Sequence, residues 1–220
     1  MKRVGIIILF FSLCCGKWAY SQTNKFVPEW SYGVNGGLTF SKVSFNSRIN
    51  IPQESLQQYS GGITVRFISE KNFGLQAELN YSQRGWKELT DTVYVNKYSR
   101  SLSYLELPFM THIYFGLGKN VRLIFNLGPQ FGYYIGEKEL EREINDTERE
   151  TFYFDMKVQK SFEYGLKGAM GLEFRTKAGS IILDGRYYFG LSDMFNNTRA
   201  DFFQASPNKV MGVNLTYLFR

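Results

Sequence analysis

The stretch "WSYGVNGGLTFS", residues 30–41, alternates almost without error. Trp30, Tyr32, Val34, Gly36, Leu38 and Phe40 fall on one face, and Ser31, Gly33, Asn35, Gly37 and Thr39 on the other. A period of two belongs to an extended strand whose faces meet different surroundings. The nature of those surroundings depends on how often the pattern returns and on what its polar face is made of.

The pattern returns along the whole chain. Residues 59–68 set Tyr59, Ile63, Val65 and Phe67 against Ser60, Thr64 and Arg66. Residues 73–84 separate Phe73, Leu75, Ala77, Leu79 and Tyr81 from Gln76, Glu78, Asn80, Ser82 and Arg84. In "SYLELPFMTHIYF" (103–115), Pro108 has no amide hydrogen for a ladder and predicts a bulge or bend. Further segments begin at 121, 161, 180 and 209, which makes eight strands. No segment sustains a helical period, and "EKELEREIN" (137–145) is too polar to bury a face, so it reads as loop or strand extension. The connections alternate between tight (69–72, 116–120, 176–179) and long (41–58, 85–101, 136–160, 192–208). This is expected of antiparallel strands crossing a slab, with every long loop on one side. An even strand count puts both termini at the short-turn side, which for an exported bacterial chain is the periplasm.

Two architectures fit eight such strands. A soluble barrel or sandwich turns its apolar face inward, whereas an outer-membrane barrel turns it to lipid. The polar face favours the second. It is crowded with glycines, including Gly33, Gly37, Gly62, Gly128, Gly165 and Gly171, as a narrow bore requires. Its mid-strand charges come in both signs: Arg66, Glu78, Arg84, Glu106, Arg122, Glu163, Lys167, Glu173, Asp184 and Arg186. An unpaired charge in a closed lumen is costly, so mixed signs predict an ion-pair network there, while on a wet surface the same mixture would be ordinary. The opposite face is nearly free of charge and carries Tyr and Phe near the strand ends, as interfacial girdles do. The predicted fold class is therefore all-β: an eight-stranded antiparallel up-and-down transmembrane barrel with a plugged polar lumen, in the cell outer membrane.

The first residues follow the export pattern. Lys2 and Arg3 precede the apolar run "VGIIILFFSLCC", and "AYS" supplies small residues at cleavage spacing. The reading is a signal peptide over 1–21 and a barrel domain over 22–220. Loss of Lys2, Arg3 and Lys17, with no acid before Glu29, lowers the formal charge from +6 to +3. So mild a balance excludes nucleic acid as a partner. Cys14 and Cys15 leave with the leader, and thiol chemistry leaves with them.

The runs "SYLELPFMTHIYF", "NLGPQFGYYI" and "GVNLTYLFR", with the export signal and strand spacing, resemble the PorT-like outer-membrane β-barrel family of the Bacteroidota. The resemblance implies an integral outer-membrane protein, some relatives being linked to protein secretion, and transfers no catalytic residue.

Eight strands enclose room for side chains only, which disfavours a wide pore. The expectation is a non-enzymatic binding or scaffold component of the envelope, with no catalytic, cofactor or metal site, touching outer-membrane lipid and, through its long loops, envelope or secretion proteins. The fourth loop offers Phe195, Phe202 and Phe203 as contact aromatics, or as side chains folded onto the rim. A narrow channel for small solutes is the alternative. A third reading pairs His112, the one histidine, with a serine as a rim acyl hydrolase.

Overall fold

A computed structural model describes residues 26–44, 46–47, 53–88, 97–143, 156–195 and 203–219. The strands are β1 (Glu29–Val43), β2 (Asn46–Ser47), β3 (Gln53–Glu54), β4 (Leu56–Glu70), β5 (Phe73–Glu88), β6 (Lys97–Gly116), β7 (Val121–Glu143), β8 (Phe162–Arg175), β9 (Gly179–Gly190), β10 (Phe203–Ala205) and β11 (Asn208–Phe219). The eight long ones pair antiparallel in the cycle β1, β4, β5, β6, β7, β8, β9, β11. β11 returns to β1, with Phe219 opposite Tyr32 and Asn208 opposite Val43. Closure removes every free edge of the wall, the condition for placing a sheet in lipid.

The alternation of residues 30–41 becomes the inside and outside of this wall. Val34, Ile63, Leu107, Met170, Leu183 and Val213 project outward and are at least half exposed, while Asn35, Thr64, Asn80, Asn126, Asp184 and Asn214 project inward and are buried. A narrow bore also explains the inward glycines: a Cβ at Gly62 would strike the Leu79 carbonyl, and one at Gly171 would strike the Leu183 carbonyl. The outward Gly185, by contrast, would place a Cβ at an ordinary 3.9 Å from the Met170 carbonyl.

The two ends differ in length. Tight turns at Lys71–Asn72, Leu117–Asn120 and Thr176–Ala178 join the strands at one end. Asn72 takes φ 71° there, a conformation asparagine tolerates better than most residues, and its amide donates to the Tyr114 carbonyl at 2.6 Å. At the other end β5, β6 and β7 outgrow their neighbours, and residues 85–88, 97–101 and 136–143 belong to strands and not to loops. The 20 residues of β6 span about 65 Å of chain, well beyond the ~25 Å apolar band of such a barrel. β3 pairs with the end of β5, and β2 with β10, so short pieces continue the wall above the rim.

Pro108 corrects an expectation. The bulge is absent: the register to β7 is the same at Leu107–Phe131 and Thr111–Leu127, and that to β5 the same at Asn80–Glu106 and Ala77–Phe109, although pairing lapses at Leu107 and Pro108 against β5 and at Phe109 and Met110 against β7. The strand absorbs the missing donor without an inserted residue. The irregularities of β6 fall instead between Ser99 and Arg100 and between Ser103 and Tyr104, against β7.

Candidate functional site

The inward side chains form three layers along the bore. The middle layer is charged. Glu78 receives Arg186, whose Nη1 is 2.8 Å from Oε2, and also accepts from Gln76 Nε2 at 2.7 Å and Asn80 Nδ2 at 2.8 Å. Arg186 reaches Asp184 as well, and Lys167 Nζ is 3.9 Å from both Glu78 and Glu106. Toward the short-turn end, Arg66 donates through Nε and Nη2 to Gln76 Oε1, and its Nη1 is 3.3 Å from Glu173. Arg122 lies 4.0 Å from the same carboxylate. Toward the long-loop end, Arg84 is 3.2 Å from Glu163 and 3.7 Å from Glu106. Glu163 also accepts from Tyr188 Oη and Asn208 Nδ2, both at 2.9 Å.

Each of the ten charged residues singled out in the sequence makes at least one ion pair here, and each of the eight long strands except β1 and β11 contributes. Five are cations (Arg66, Arg84, Arg122, Lys167, Arg186) and five are anions (Glu78, Glu106, Glu163, Glu173, Asp184), so the set closes at zero net charge. That balance matters because moving an ion out of water costs several kcal/mol unless partners replace the lost hydration. Arg84 shows how it is met where hydrogen bonds run out: its guanidinium stands 3.9 Å from the ring centre of Tyr104 and 5.1 Å from that of Tyr188. A cavity of about 30 Å³ remains between Glu106, Gln130, Lys167, Arg186 and Tyr188, the room of a water molecule.

The two outer layers are apolar, and the sequence reading of a polar lumen misses them. At the short-turn end Ile68, Tyr114, Ile124, Ile182 and Leu218 point inward and pack together, with Phe26 against them. At the long-loop end Val43, Trp86, Tyr98, Leu102 and Tyr104 meet Met194 and Phe195, which come from the segment after β9. Backbone bonds hold that segment down: Gln159 and Lys160 amides donate to the Met194 carbonyl, and the Phe195 amide donates to Ser206 Oγ. Arg100 Nη1 fixes the neighbouring Met156 carbonyl at 2.6 Å. Phe195 is therefore not a surface contact; at 1% exposure it plugs the bore, because an aromatic ring gains more from the apolar rim than from water. Phe202 lies outside the described residues. Phe203 opens β10, opposite Ser47.

A signal for the short-turn seal was present in the sequence. There the alternation gives way to consecutive apolar residues, as in "RLIF" (122–125), "SIIL" (180–183) and "YLF" (217–219), which leaves both faces apolar. His112 belongs to the polar interior beside this seal. It is fully buried, its Nδ1 is 2.7 Å from Asn126 Oδ1, and its ring stacks on Tyr114. Among the described residues no serine hydroxyl bonds it. The acids at the far end of β7 pair locally, Glu137 with Arg100, Glu141 with Lys87 and Glu139 with Arg142.

Residues 20–196 match the family described as outer membrane protein beta-barrel domain. The chain belongs to that family. An outer membrane protein β-barrel domain places it in the outer membrane, with lipid around the wall; the closing strand β11 lies beyond the matched residues and completes the same barrel. Solved structures of similar shape include OprG from Pseudomonas aeruginosa, at 13% identity over 86% of this chain and 96% of that one, with a TM-score of 0.49. Neisserial surface protein A is similar at 10% identity over 87% and 99%, with a TM-score of 0.46. Ail of Yersinia pestis is similar at 12% over 87% and 99%, with a TM-score of 0.41. A comparison with curated proteins finds no match.

Proposed function

We propose that this barrel is a closed, non-enzymatic binding or scaffold component of the outer membrane, making its contacts through the long-loop end. The observation that carries the reading is the filled bore: a charge-balanced middle layer between two apolar seals. Solute passage would require at least one seal to open and the ion pairs to part, each a cost of several kcal/mol with nothing in the bore to repay it. Enzymatic work at the rim lacks support for a related reason, since the imidazole of His112 is enclosed by the wall. The likeness of "SYLELPFMTHIYF" to PorT-like barrels supports an accessory place in protein secretion, with envelope or secretion proteins as partners of the loops.

Two measurements test this. Photo-crosslinking residues introduced at Thr92, Glu148 and Phe202 in intact cells are expected to capture a discrete envelope protein; an absence of adducts at all three positions would remove the scaffold reading. Planar-bilayer recordings of the purified barrel are expected to stay silent. Stable unit conductance would replace the proposal with a narrow channel for small solutes.

A further inference from the structure

The short-turn end carries a concave site of its own. A basin of about 620 Å³ opens between the three tight turns, and each turn places a lysine on it: Lys71, Lys119 and Lys177. Arg122 and Arg175 line its wall, with Tyr114 among the lining residues. The acids near it are Glu29, Glu70 and Glu173. Glu29 is taken by Arg175 Nη2, 3.2 Å from both its oxygens. Glu173 is shared between Arg66 and Arg122. Glu70 closes β4 beside Lys71. Among the described residues, none of the three lysines has an ion pair. Once Arg122 and Glu173 are assigned to the balanced lumen set, four cations face two acids here among the described residues, a surplus of two positive charges.

Geometry adds to charge. The Arg122 guanidinium is held 4.2 Å from the ring centre of Tyr114, with its buried Nη1 turned to Glu173 at 4.0 Å. Fixed in this way it lines the basin wall as a planar cation, while the lysines act as point charges around it. The level of the site is also informative. Trp30, Tyr32, Phe73, Phe115, Phe174 and Phe219 are exposed on the outer wall at this end and mark the boundary between hydrocarbon and headgroups. The turn lysines lie just past that ring, at the depth of lipid phosphates. A phosphate group carries up to two charges and several acceptor oxygens, matching the surplus better than a single carboxylate does.

We propose that the short-turn mouth is a phosphate-binding site, taking the phosphate of a lipid headgroup or of a soluble phosphate ester between Lys71, Lys119, Lys177 and Arg122. This site is independent of any contact made by the long loops.

The test uses the mature protein in neutral detergent micelles, with sn-glycerol 3-phosphate as the soluble probe, phosphatidic acid in mixed micelles as the lipid probe, and a glutamate-rich peptide as the carboxylate probe. Phosphorus NMR and calorimetry read binding. One or both phosphate probes are expected to bind more tightly than the peptide, and more weakly as salt rises. Preference for phosphatidic acid assigns the site to headgroups, and preference for glycerol phosphate assigns it to a free ester. Lys119→Gln with Lys177→Gln, both in exposed turns, is expected to weaken binding about tenfold or more, and Arg122→Gln to weaken it further. No binding of either phosphate probe, unchanged binding in the lysine variant, or preference for the peptide would overturn the proposal, the last in favour of a protein contact.

Discussion

The two seals of the bore are made from different parts of the chain, and the difference separates what the wall does from what the loops do. At the short-turn end the seal consists mainly of strand residues, Ile68, Tyr114, Ile124, Ile182 and Leu218, so the barrel closes itself there as it forms. At the long-loop end the wall supplies Val43, Trp86, Tyr98, Leu102 and Tyr104, but the seal is completed by Met194 and Phe195 from a connection that could have been left in water. Beyond the first seal lies a basin with a positive surplus; beyond the second the strands β5, β6 and β7 run on. The lesson is that a narrow barrel can keep its ion pairs dry from both sides and still present two unlike surfaces to two compartments.

Perturbing the layer between the seals should give the largest effect. Arg84→Met leaves Glu106 and Glu163 short of a partner, and unfolding in urea from detergent is expected to show a loss of about 3–5 kcal/mol. A loss within 0.5 kcal/mol, roughly the scatter of ordinary surface changes, would mean that the pairs are hydrated and the seals leak. Phe195→Ala probes the loop-built seal alone. About 3 kcal/mol is expected, the low end for a truncated aromatic because the rim can partly collapse, and proteolysis of the segment around Met194 should accelerate while the strands stay protected.

Smaller effects sharpen the contrast between inside and outside. Gly171→Ala forces a methyl against the Leu183 carbonyl and is expected to cost about 1–3 kcal/mol, whereas Gly185→Ala on the outer wall should stay within about 0.5 kcal/mol. Equal costs would put the wall the wrong way round. The orientation of the two ends is expected to show in labelling rather than in stability: an epitope inserted at Asn145 should be reached by antibody on intact cells, and one at Lys177 should not. Equal labelling would leave the assignment of the basin to the periplasm without support.

Much of the wall was legible in the sequence because lipid and bore impose opposite demands on alternate residues, and "WSYGVNGGLTFS" already shows both. The ten lumen charges were legible for the same reason, since mixed signs on one face of a closed cylinder have few places to go but each other. The seals went unread, although consecutive apolar residues signal the short-turn one, because their residues break the alternation that identified the strands: Ile68 follows Phe67, and Tyr114 precedes Phe115, with neighbouring side chains apolar on both faces. Phe195 was left between two readings because a loop aromatic amid polar neighbours reads the same whether it faces a partner or folds into a rim; it takes the second course. The basin was invisible because Lys71, Lys119 and Lys177 are far apart in the chain and meet only once the barrel closes. At Pro108 a missing donor was read as a bulge or bend, and the register contains no bulge.

The central claim, that apolar side chains face lipid and the bore is shut, is tested most directly by nitroxide labels on a chain whose two cysteines, Cys14 and Cys15, are changed to serine. Labels at Val213 and Leu215 on β11, at Leu183 on β9 opposite Leu215, and at Leu172 on β8 opposite Leu183, are expected to collide freely with oxygen and hardly at all with a water-soluble nickel chelate when the protein sits in bilayers. High nickel collision rates at these four positions, as in a protein that holds its oil inside, would contradict the account.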